Sequence, residues 1–125
     1  MTIAEAIALV DELKPNNVDR ARKIGFLSDL DMRVFGDVFA RHEKDEKNPD
    51  EFTGYDENTE DSTVLLIPEP HCEVYRWFLE MQIDLINMEL GKYNNSMALF
   101  TAAWKDFAGM YHRTHKPLCD TNFSY

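Results

Sequence analysis

A chain of 125 residues, 44% hydrophobic and 29% charged, is suited to one globular domain with a single core, and is too apolar for a disordered segment. Its formal net charge of −10 argues against nonspecific duplex binding, which needs Lys and Arg to displace counterions from phosphates. With no apolar run near the ~20 residues of a membrane span, and a start without the basic and apolar stretches of a signal peptide, no membrane role is expected and the cytosol is.

The first element is a short helix over 2–14, opened by the capping box Thr2-x-x-Glu5, with Ile3, Ala6, Ile7, Val10 and Leu13 on one face. Pro15, Asn16 and Asn17 end it and offer a cap for the next helix. Residues 18–42 place Ile24, Leu27, Leu30, Val34 and Val38 on one side, widened by Phe26, Phe35 and Phe39. Gly36 weakens the later half, where the helix is expected to bend or stop.

The helical pattern lapses over 43–61, which carries nine acidic residues against Lys44 and Lys47 and so holds −7 of the net −10. Pro49 and Gly54 mark it as loop, and Phe52 and Tyr55 are its apolar anchors. Asp56, Asn58 and Glu60 alternate as in an EF-hand. The sixth and twelfth positions of such a loop would be Asp61 and Ile67 instead of Gly and Glu, which excludes it. Residues 63–67 (Thr-Val-Leu-Leu-Ile) read as a short strand or extended cover, stopped by Pro68, with Pro70 suited to the first turn of the helix that follows.

The stretch 73–115 holds the longest helical pattern. Leu79, Ile83, Ile86, Leu90, Tyr93, Met97, Phe100, Trp104, Phe107 and Tyr111 make one seam, and Phe78, Met81, Leu85 and Met88 add a second apolar face to its first half. A continuous helix of this length would be roughly 65 Å long at ~1.5 Å per residue, too long for a compact chain of this size. A hairpin broken near Tyr93 to Asn95 is therefore expected, although the unbroken spacing would equally suit one long helix in an oligomer. His112, Arg113, His115 and Lys116 suit a helix end, and Pro117 stops it. The fold class expected is mainly α: a bundle of about four helices over 1–117, with an acidic loop at 43–62 and a possible short strand. The tail 118–125 is either frayed or an arm that docks on a neighbouring subunit through Leu118, Phe123 and Tyr125.

Few residues suggest chemistry. Cys72 and Cys119 lie in no CxxC pair and are expected as reduced thiols. His112, His115 and Cys119, completed by His71 or Cys72, have spacings compatible with zinc, but paired ligand motifs are lacking. Glu80 and Asp84 are one turn apart, with Glu73 and Glu89 nearby, as in Mg²⁺-dependent all-α nucleotide pyrophosphohydrolases. The facing helix offers only Asp19, Asp29, Asp31 and Asp37, at spacings that do not form one face. No GxSxG, Walker loop, HExxH or dinucleotide fingerprint is present, and Ser28 and Ser62 have no neighbouring histidine in sequence. Trp104, Phe107 and Tyr111 read as core. No enzyme, metal or cofactor is expected.

Lys23-Ile24-x-x-Leu27-x-x-Leu30-Asp31 and the run Tyr93-Asn94-Asn95-Ser96-Met97-Ala98-Leu99-Phe100, continuing to Phe107 and Tyr111-His112-Arg113-Thr114-His115, resemble short acidic helical proteins of the head modules of tailed bacteriophages and prophages. The resemblance spans almost the whole chain. It implies a head-tail connector, or head-completion adaptor: a homo-oligomeric ring under the portal, in contact with portal and neck or tail proteins, assembled in the bacterial cytoplasm and carried in the virion. DNA would be a passing, non-specific neighbour. The acidic loop, with Asp50, Glu51, Asp56, Glu57, Glu60 and Asp61, could face that channel and repel phosphate. The alternative is a helical interaction or regulatory protein that binds a basic partner through the same loop.

Overall fold

The computed structural model describes residues 1–118. Four α-helices follow one another: α1 (Ile3–Leu13), α2 (Arg20–Arg33), α3 (Glu73–Ile86) and α4 (Leu90–Thr114). No strand or sheet forms among the described residues, only isolated bridges between Thr2 and Val64 and between His42 and Pro117. None of these helices is long and apolar enough to cross a membrane.

The capping box of α1 is formed as expected. Thr2 Oγ1 accepts from the Glu5 amide at 3.1 Å, and Glu5 Oε1 accepts from the Thr2 amide at 2.9 Å. Ile3, Ala6 and Val10 are buried, whereas Leu13, expected on the same face, is 47% exposed at the helix end. Along α2 and the π turn that continues it, the expected stripe Ile24, Leu27, Leu30, Val34 and Val38 is buried throughout. The α-helical pitch ends at Arg33. Residues Val34–Val38, centred on Gly36, widen into a π turn, and Phe39–Arg41 tighten into a 3₁₀ turn. The chain thus changes pitch where glycine weakens the helix, without losing its buried face.

The segment before α3 is an extended cover and not a strand. Leu65 and Ile67 are buried while Val64 is 65% exposed, and the Thr63 carbonyl and the Leu65 amide bond to the first residues of the chain. α3 starts at Glu73, after a turn in which the His71 amide bonds the Pro68 carbonyl, so Pro70 precedes the helix and does not sit in its first turn.

α3 and α4 form an antiparallel hairpin. Phe78 packs on Phe100 and His71 on Phe107, with ring centroids 5.4 and 6.1 Å apart. The break comes at Asn87–Glu89, about six residues before the expected Tyr93 to Asn95; Asn94 and Asn95 lie inside α4. The end of α3 is a Schellman turn: the Met88 amide bonds the Leu85 carbonyl, the Glu89 amide bonds the Asp84 carbonyl at 2.9 Å, and Met88 takes φ 56°. The turn restarts the helical phase. Leu90 and Met97 of the expected seam are consequently 61% and 40% exposed; Leu85 and Met88 of the expected second face, at the end of α3 and in the turn itself, are 47% and 80% exposed. Leu79, Ile83, Phe100, Phe107 and Tyr111 of the seam are buried with Phe78 and Met81.

Candidate interaction surface

The acidic loop leaves the 3₁₀ turn at His42 and crosses the bundle to the start of α1. Its shape is set by a buried carboxylate on α2. Asp31 is fully buried and accepts from the Tyr55 hydroxyl at 2.6 Å, the Tyr75 hydroxyl at 2.6 Å and the Leu66 amide at 3.0 Å. Burial raises the Asp31 pKa against these three donors. The same burial, with the neighbouring carboxylate, raises both tyrosines. One side chain thus ties α2, the acidic loop, the extended cover and α3 together.

Beside it, the Ser28 hydroxyl accepts from the Tyr55 amide at 2.9 Å, and Phe52 packs between Phe35 and Tyr55 with centroids 6.2 and 5.1 Å apart. Gly54, at φ 95°, lies so near Ser28 that a Cβ would overlap its Oγ. Phe52 and Tyr55 therefore act as the anchors expected. In the sequence Ser28 and Asp31 bear only on catalysis, metal binding and family resemblance, and their role in anchoring the loop is not legible there.

Around these anchors the acidic side chains point outward, in two groups. Asp50 and Glu51 lie before Tyr55, and Asp56, Glu57, Glu60 and Asp61 after it; all six are exposed. Asp50 is 3.4 Å from Lys44, and Asp61 pairs with Arg20. The Asp61 and Thr63 carbonyls accept the Ala4 and Ile3 amides at 3.1 and 3.0 Å, so the loop's end completes the N-terminus of α1. Asp56 is engaged within its own turn, accepting from the Asn58 amide at 2.9 Å. The loop displays its charge on a fixed path.

At its root the loop meets the end of α4. His115 Nε2 is 2.9 Å from Asp45 Oδ2, and its ring stacks on Tyr111 with centroids 3.7 Å apart. The hydrogen bond from His115 holds the Asp45 pKa below the usual carboxylate range. Asn48 donates to the Tyr111 hydroxyl at 2.9 Å, the Leu118 amide to the Arg41 carbonyl at 3.0 Å, and the Glu43 amide to the Lys116 carbonyl at 2.8 Å. A groove of about 400 Å³ opens here, lined by Phe35, Phe39, Pro49 and Leu118 with Lys44 and Asp50 at its rim. Leu118 is 64% exposed; Phe123 and Tyr125, the other expected docking residues, lie outside the described residues.

Most of the residues considered for metal chemistry have other partners, and His112 Nδ1 lies 3.3 Å from His42 Nε2. His71 packs on Phe107, Cys72 Sγ donates to the Ile67 carbonyl at 3.2 Å, and His115 is held by Asp45; Cys119 lies outside the described residues. Burial pushes the Cys72 thiol up to about 11. Asp84, fully buried, is 2.5 Å from Lys14 Nζ and accepts from Ser96 Oγ at 2.9 Å, and Glu80 is 2.7 Å from Arg76. Among the described residues no group of three or more His, Cys, Asp or Glu is arranged to hold a metal ion.

Comparison of the chain with protein-family models, with curated proteins and with solved structures finds no match.

Proposed function

We propose that this is a non-enzymatic structural protein of a phage or prophage, a head-tail connector that forms a ring under the portal. The resemblance of the α4 sequence to head-module proteins suggests the setting. The observation that carries the reading is the uncovered apolar tip of the α3–α4 hairpin, where Leu85, Met88 and Leu90 are exposed. In a ring, one patch of each subunit meets a different patch of the next, and an uncovered helical hairpin supplies one such patch. The loop residues Asp56, Glu57, Glu60 and Asp61 would line the passage and repel DNA phosphates. Portal and neck or tail proteins are the partners, and the virion is the location.

A non-catalytic role is supported by the buried carboxylates. Asp31, Asp84 and Glu80 each satisfy donors of the protein itself, which leaves them poorly placed for substrate. The second reading is a regulatory protein that binds a basic partner; the fixed outward display of the loop favours it over a merely solvating segment.

Quantitative mass spectrometry of purified phage particles from the source strain tests the connector directly. A copy number equal to that of the portal protein is expected. Absence from otherwise complete particles would overturn the reading and leave the regulator. Neutralising Asp56, Glu57, Glu60 and Asp61 together is expected to slow DNA passage and lower infectivity; unchanged infectivity would remove the channel role of the loop.

A further inference from the structure

His42 stands at the root of the acidic loop, between the 3₁₀ turn and the last turns of α4. Its Nδ1 lies 2.6 Å from the Val38 carbonyl oxygen, which only accepts. That nitrogen therefore carries the proton, and in the neutral ring Nε2 presents a bare lone pair. Nε2 points at His112 Nδ1, 3.3 Å away. We propose that His42 and His112 are a two-nitrogen site for a divalent transition-metal cation such as Zn²⁺, Ni²⁺ or Cu²⁺, with water in the remaining positions.

The geometry fits in three respects. Imidazole nitrogens bound at ~2.0–2.1 Å to a tetrahedral ion stand ~3.3–3.4 Å apart, the separation seen here, which without a metal is bridged by a long hydrogen bond from His112 Nδ1–H to the His42 lone pair. Donation of the other ring N–H to a backbone carbonyl is the support that usually fixes the tautomer and aim of a ligating histidine. The His42 ring is further held edge-on by Tyr111, with centroids 5.1 Å apart, and its backbone is paired with Pro117.

His112 is exposed, so a small tilt of its ring aims both lone pairs at one point and leaves room for water. His115 cannot substitute, since Asp45 and the Tyr111 stack hold it. With no third protein ligand among the described residues, the site is an open one that exchanges its metal, unlike a closed structural zinc site. A bound cation would clamp the end of α4 to the 3₁₀ turn and stiffen the root of the loop. This inference is independent of the connector reading.

The test is calorimetric titration of tag-free, chelator-stripped full-length protein with Zn²⁺ and, separately, Ni²⁺, followed by thermal melting. One ion per chain and a higher melting temperature with metal are expected. His112→Gln, an exposed substitution whose fold is checked by circular dichroism, should weaken binding about tenfold or more, and His42→Gln likewise. His115→Gln and Cys119→Ser should change it by less than about twofold. No binding at about 1 mM cation would overturn the site. So would binding that survives His112→Gln, or that is lost in Cys119→Ser.

Discussion

Asp31 shows how far a single side chain organises this protein. Its carboxylate satisfies three donors from three segments, yet burial raises its pKa, so the charged form is held at a cost. A carboxyl whose folded pKa is raised contributes most stability below its unfolded value of ~3.9, and that contribution is lost as pH rises through the folded value. Asp31→Asn keeps the shape and does not titrate, but it sets an amide N–H₂ against one of the two tyrosine hydroxyls that the carboxyl oxygens accept from. At pH 4 the variant should be less stable by about 1–3 kcal/mol. The gap should narrow as pH rises above about 4 and the wild type loses its share; a gap that stays constant with pH in urea denaturation would contradict the assignment. Gly54 marks the other fixed point of the loop. Both its φ of 95° and the overlap of a Cβ with Ser28 oppose a side chain. Gly54→Ala should cost roughly 1–3 kcal/mol and speed amide exchange at Tyr55, whose N–H bonds Ser28. Unchanged exchange at Tyr55 would mean that the loop is held elsewhere.

At the scale of elements, the α3–α4 turn separates what was legible from what was not. Helix content, the capping box and the buried stripe of α2 followed from spacing and hydrogen-bonding chemistry, because apolar periodicity reports directly on a buried face. The turn did not, since the left-handed position of a Schellman motif usually holds Gly or Asn and here holds Met88, while Asn94 and Asn95 pointed elsewhere. The spacing of apolar residues continued across the turn although the helix did not, so Leu90 and Met97 looked like core. The acidic loop was legible as a loop; its anchoring by Asp31 and Ser28 was not, because long-range polar partners leave no local period. Met88 is 80% exposed and pays left-handed strain with little packing in return. Met88→Gly should therefore raise stability by roughly 0.5–1 kcal/mol, read as a higher urea midpoint with an unchanged slope. A lower midpoint would show that Met88 packs in solution. Lys14 joins the end of α1 to Asp84 of α3, which is itself fully buried. Lys14→Met strands that carboxylate and should cost roughly 3 kcal/mol, whereas adding Asp84→Asn should recover part of the loss. Equal stability of the two variants would place the worth of the contact in packing alone.

For the whole molecule, two forces act on association in opposite senses. The hairpin exposes Leu85, Met88 and Leu90, which favours contact between copies, while a net charge of −10 on every copy opposes it. Salt separates these terms: the Debye length falls from ~10 Å at 0.1 M to ~3 Å at 1 M, so repulsion between exposed carboxylates fades while apolar contact persists. If copies of this chain assemble into a ring, the mass measured by sedimentation should rise with ionic strength. Asn and Gln in place of Asp56, Glu57, Glu60 and Asp61 remove four negative charges and should shift assembly to lower salt. Met88→Asp with Leu90→Asp puts charge into the apolar tip and should keep the protein monomeric at every salt concentration. Binding of a basic partner by the same loop has the opposite dependence, because screening weakens attraction between unlike charges. A salt titration with and without the loop neutralisation therefore separates the two proposed roles. Mass that grows with salt supports contacts between copies. Mass that stays monomeric throughout, together with salt-weakened capture of a basic protein, would move the apolar tip out of the argument and leave the loop as the functional surface.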